Sequence, residues 1–112
     1  MIARFLLPLA LFATVAQTEP YGMIGKITAK AGQRDALAAV LAAGTGAMPG
    51  NRAYLVAKDL KQADVLWVTE AWDSRDAHRA SLALPAVKAA IARGLPLIAD
   101  FETVAETEPA GR

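Results

Sequence analysis

Cysteine is absent from the 112 residues, histidine occurs once, and neither sign of charge is in real surplus, with 12 Lys+Arg against 11 Asp+Glu. The missing thiols exclude disulfides, cysteine-linked lipids and thiolate metal sites. With His78 as the sole imidazole, a metal centre would need several carboxylates, and none are clustered at ligand spacing. No phosphate-binding glycine motif occurs either, and the balanced charge leaves no electrostatic footprint for nucleic acid or anionic lipid.

What is abundant is apolar sequence, 54% of the chain, and part of it sits at one end. "FLLPLALFATVA" (5–16) follows Arg4 and ends on small residues at Thr14 and Ala16. A positive charge, a short apolar run and small residues form the three-part pattern of a secretory signal, with cleavage expected after Ala16. The run is too short for a permanent membrane anchor. The protein is therefore expected to be exported, periplasmic or secreted, with no membrane attachment after signal removal; without a functional signal it would stay in the cytoplasm. Loss of Arg4 leaves 11 basic against 11 acidic residues, a formal net charge of zero.

The remainder is long enough for one domain. "YGMIGKITAK" is rich in strand formers, and after Gly32 the alanine-rich "DALAAVLAAG" places Leu37, Val40 and Leu41 at helical spacing. Gly44, Gly46, Pro49 and Gly50 then mark a long turn. "NRAYLVAKD" (51–59) and "ADVLWVTEAW" (63–72) read as an antiparallel hairpin. Asp73 is the expected helix N-cap, with Asp76 near the positive end of the helix dipole. The helix that follows presents Ala77, Ala80, Leu84, Val87 and Ile91 on one face, and Pro85 must kink or restart it near Leu84. "LIADFETVAET" (97–107) supplies a last strand.

The order β-α-β-β-α-β predicts an α+β fold, a ferredoxin-like antiparallel sheet with both helices on one face. Along the third strand Leu66, Val68, Glu70 and Trp72 share one face, while Val65, Trp67, Thr69 and Ala71 share the other. Both faces carry a large apolar group, so the face away from the helices is expected to be buried as well, most simply against a second copy.

"YGMIGKITAKAGQRDAL", "GTGAMPGNRAYLVAKD", "VLWVTEAWDSRDAHRASLALPAV" and "PLIADFETVAET" resemble the antibiotic biosynthesis monooxygenase (ABM) family, the quinol-monooxygenase-like dimeric α+β barrels. The resemblance spans 21–109 and is most specific in the E-x-W-x-S stretch and the helix after it. It implies a homodimeric barrel with a cleft between sheet and helices in each protomer. It also implies oxygenation of a small electron-rich aromatic, such as a quinol or anthrone, by O₂ with no cofactor and no metal. The haem-degrading branch of the family uses a histidine in the second helix and an asparagine in the first strand. Those positions fall near Ser81 and Gly25, so both groups are absent here. A rival reading is a non-catalytic dimeric barrel that binds a hydrophobic small molecule.

The candidate catalytic residues are His78, Trp72 and Tyr54, and the candidate substrate-binding residues are Glu70, Asn51 and Ser81. Trp72 resembles the family's cleft-lining strand tryptophan, with core packing as its structural alternative. An imidazole one turn into the next helix suits proton transfer near neutral pH, or is simply a half-exposed helical side chain. Tyr54 shares a layer with Val56 and could bond a substrate oxygen or anchor the sheet. Buried Glu70 needs a cation such as Arg79 or Arg52, or serves as a proton acceptor. Asn51 and Ser81 are polar lining or ordinary caps, and Trp67 belongs to the opposite face.

Overall fold

Alternating apolar residues in "YGMIGKITA" produce the central strand β1 (Tyr21–Ala29), every odd position of which is buried in a computed structural model that describes residues 19–44 and 46–111. The apolar segment 5–16 and its expected cleavage point lie outside the described residues. After Gly32, which takes φ +76°, comes α1 (Arg34–Ala43), followed by β2 (Asn51–Lys58) and β3 (Val65–Trp72). Next are α2 (Arg75–Ser81), α3 (Pro85–Gly94), a single 3₁₀ turn (Leu95–Leu97) and β4 (Ile98–Thr107).

The sheet order is β2-β3-β1-β4, with every neighbour antiparallel. This is the ferredoxin-like α+β fold that the element order predicts. Leu37 of α1 and Leu66 of β3 are fully buried, and with Ile27, Ala29 and Val68 they form the main core between sheet and helices. A smaller cluster of Tyr21, Met23 and Trp72 closes the other end of the same layer. Helices α1 and α3 meet closely because glycine stands at both crossing points. A Cβ on Gly44 would lie 2.5 Å from that of Ala90, and one on Gly94 would lie 3.4 Å from Leu37 Cδ1.

The loop between β2 and β3 is held by side chains. Asp59 accepts the Nε1–H of Trp67 at 2.8 Å and the backbone N–H groups of Lys61 and Gln62 at 2.9 and 2.7 Å. These donors hold its carboxyl down at about 2. Arg34 at the start of α1 donates to the carbonyls of Asp59 and Gln62, tying helix to hairpin.

Two local expectations are corrected. The N-cap of α2 is Ser74, whose Oγ accepts the backbone N–H of Ala77 at 3.0 Å, while Asp73 turns outward to pair with Arg52 at 2.7 Å. As expected, Pro85 restarts the helix as its first residue, and the two helical pieces meet at 70°. The second correction is on α2, where Ser81 faces inward and is buried while Ala80, expected on the inner face, is exposed. Among the described residues no single helix is long and apolar enough to cross a membrane.

Candidate functional site

The bend between α2 and α3 holds the helices off one part of the sheet and leaves a cavity of about 560 Å³ beneath them. Strand alternation decides which side chains enter it. Met23, Val68, Glu70 and Trp72 point toward the helices, as does Tyr54, which pairs with Glu70 across β2 and β3. His78 and Ser81 enter from α2, one turn apart. Five of the six candidates therefore line one cavity. Asn51 does not: its amide donates to the carbonyls of Ala53 and Ala71 at 3.1 and 3.4 Å, closing the irregular start of β2.

Glu70 is the centre of the polar end. Its Oε1 accepts the Nε1–H of Trp72 at 3.0 Å and lies 4.0 Å from His78 Nε2, both side chains being largely buried. Arg52 is engaged with Asp73 and Arg79 with Asp76, so neither supplies the cation expected for this carboxylate. Burial pushes the Glu70 carboxyl above its ordinary value, and the bond from Trp72 and the charge of His78 only partly offset this. Burial, with Glu70 as a lesser cause, pushes Tyr54 up to about 12. At neutral pH Tyr54 is thus a hydrogen-bond donor and not a base. No hydrogen bond engages its hydroxyl among the described residues, whereas the Ser81 hydroxyl donates to the His78 carbonyl at 2.6 Å.

His78 sits between two aromatic rings, 5.4 Å from Trp72 edge-on and 5.5 Å from a tilted Tyr21. Tyr21 is itself held. Its hydroxyl donates to Glu106 Oε2 at 2.7 Å, and Arg75 binds the same oxygen at 2.8 Å with its guanidinium 4.3 Å above the tyrosine ring. Burial first, then the Glu106 bond, raises the Tyr21 hydroxyl, while the Tyr21 and Arg75 bonds lower Glu106. Sequence reasoning missed this support, because Tyr21 and Glu106 are 85 residues apart and meet only through the β1–β4 pairing. It also missed Phe101, whose ring lies over Gly25, with 3.4 Å from its edge to where a Cβ would stand. A longer side chain at Gly25, the position matched to the haem branch's asparagine, would displace that ring.

This set of groups can bind a ring, accept a proton at the Glu70–His78 pair, and donate a hydrogen bond from Tyr54 to an oxygen that gains negative charge. Among the described residues no three His, Cys, Asp or Glu side chains come together as metal ligands.

Comparison with known proteins places the arrangement. The chain is 50% identical to an antibiotic biosynthesis monooxygenase-type protein of Chloroflexus aurantiacus, over 84% of this chain and 96% of that one, with a TM-score of 0.77. A similarly described protein of Deinococcus radiodurans is 30% identical, over 83% and 94% of the two chains, at a TM-score of 0.67. SnoaB of Streptomyces nogalater, a cofactor-independent oxygenase solved as a variant, shares the fold at 16% identity, over 84% and 96%, with a TM-score of 0.68. Among curated protein sequences none matches significantly. The family model for antibiotic biosynthesis monooxygenase matches residues 20–93, which include β1 through most of α3 and, of the cavity, Tyr54, Glu70, Trp72, His78 and Ser81; the chain belongs to the antibiotic biosynthesis monooxygenase family.

Proposed function

We propose that the protein is a cofactor-independent monooxygenase that oxidises an electron-rich aromatic, a quinol or an anthrone, with O₂. The observation that carries this reading is a largely apolar cavity whose proton-handling groups, Glu70, His78 and Tyr54, are gathered around one tryptophan. A phenol or anthrone bound with its acidic proton at His78 loses it to the imidazole, and the charge that forms there is balanced by Glu70 at 4.0 Å. Tyr54 donates to the substrate oxygen that becomes anionic. The substrate anion then supplies an electron to O₂, and the resulting pair joins through a new C–O bond. For an anthrone, cleavage of the O–O bond and loss of water leave one oxygen in the product as a carbonyl. The substrate is the reductant, so the protein's part is to bind the ring, remove the proton and stabilise the anion. SnoaB, with the same fold and the description of a cofactor-independent oxygenase, supports this reading.

We further propose a homodimer formed through the sheet face away from the helices, where Ile24, Leu55, Ala57 and Trp67 lie, and export directed by residues 1–16. The test of function is oxygen uptake by metal-free protein with hydroquinones and anthrones, after subtraction of autoxidation. Uptake without an added cofactor, lowered at least about tenfold in His78→Ala, is the expected result. No uptake above background across the panel overturns it and leaves a barrel that binds a hydrophobic small molecule without turnover.

A further inference from the structure

The cavity gathers its titratable groups, Glu70, Tyr54 and His78, at one end, and the only other hydroxyls in its lining are those of Ser81 and Thr103. Glu70 and Phe101 both line it, yet they are two strands and four residues apart in the sheet register, through Met23 and Ile27. At about 4.8 Å per strand and 3.3 Å per residue, this puts their Cα atoms roughly 16 Å apart. A one-ring quinol held at Glu70 and His78 would leave the Phe101 end of the cavity empty.

The cavity is not a closed core. Leu82, Ile91, Leu95 and Phe101 line the cavity and are nevertheless 46%, 44%, 61% and 53% exposed. Four of the seven large apolar side chains that stand exposed among the described residues thus surround one opening. Exposed apolar groups scattered singly need no explanation, but convergence on the rim of a cavity marks a binding site. The opening is on the helix side of the sheet, since Phe101 pairs with the inward-facing Ile27. A dimer through the opposite face leaves it free.

We propose that the substrate is a phenol or hydroquinone bearing a long apolar tail, an alkyl or isoprenoid chain, with the hydroxyl at Glu70, Tyr54 and His78. The tail runs along the sheet past Gly25, against the Phe101 ring, and leaves between Leu82, Ile91 and Leu95. This rests on the reading of the polar end as the place where the hydroxyl-bearing ring binds. Gly25 has no side chain to fill this path, and the Phe101 ring that lies over it lines the cavity.

The test is calorimetric titration of the full protein with 4-methyl-, 4-butyl- and 4-octylphenol, which are stable to oxygen. Affinity is expected to rise about two- to threefold for each added methylene, a large part of the full burial value. It should fall for octylbenzene, which has the tail without the hydroxyl. Phe101→Ala and Leu95→Ser are each expected to weaken octylphenol at least about fivefold more than methylphenol, with circular dichroism confirming the fold. An affinity that is flat across the wild-type series overturns the proposal, whether a second copy or the chain itself fills the opening. Oxygen uptake on compact quinols with a flat series would sink the tail alone. A steep series without uptake would keep the tail and sink the oxygenase.

Discussion

At the scale of single residues the buried carboxylate of Glu70 is the most costly feature of the site. Its partners are an indole N–H and an imidazole, and neither restores the hydration that burial removes. Because burial raises its pKa in the folded state, the neutral acid is the form that folding favours. The stability this contributes is present below the unfolded value and is lost as pH rises through the folded one. Glu70→Gln is therefore expected to be at least as stable as wild type at pH 7. Its advantage in urea midpoint should grow from pH 4 to pH 7 while oxygen uptake falls. A variant clearly less stable at pH 7 would mean that the Glu70–His78 ion pair outweighs burial. Tyr54 acts in the opposite sense to a base: held protonated up to about 12, it remains a donor throughout the range in which the substrate anion forms.

At the scale of elements the site depends on where helices start and how closely they pack. Ser74 starts α2 and thereby sets the turn on which His78 and Ser81 face inward. Gly50, at φ +81°, bends the chain into β2, and its carbonyl accepts the Asp73 N–H at 2.8 Å, joining the start of β2 to the end of β3. A Cβ there would lie 2.7 Å from that of Ala77 in α2. Left-handed backbone geometry and a close helix contact both act against any side chain. Gly50→Ala is expected to lower stability by about 1–3 kcal/mol, read as a shift in denaturant midpoint without a change in slope. No measurable shift would show that the turn and α2 relax together. On the far side of the site, the bonds from Tyr21 and Arg75 to Glu106 anchor β4 to the ring that flanks His78.

For the whole molecule the helix-free face of the sheet is the surface on which the proposed dimer rests. Leu55 is 61% exposed at its edge, and Lys26 lies over the Trp67 ring at 5.9 Å. If a second copy packs there, Leu55→Glu should convert the dimer to a monomer in light scattering, since a carboxylate buried without a partner is strongly unfavourable. An unchanged mass would place the interface elsewhere. Much of the fold was legible along the chain because it depends on local periodicity. Alternation marked the strands, alanine and leucine spacing marked α1, and Pro85 marked the break between α2 and α3. Which residues line the cavity was also largely legible, since Glu70 and Trp72 share a strand face and His78 follows one capped turn later. Sequence by itself therefore determined the element order, the faces of β3 and the family. Only the tertiary structure decided that Ser74 caps α2, that Glu70 meets Trp72 and His78 instead of an arginine, and that Asn51 stays outside the cavity. It alone brought Tyr21, Arg75 and Glu106 together and set Phe101 over Gly25. The reason is physical: periodicity and capping act over a few residues, whereas pairing register and helix placement join groups far apart in the chain, and no local pattern encodes which of them will meet.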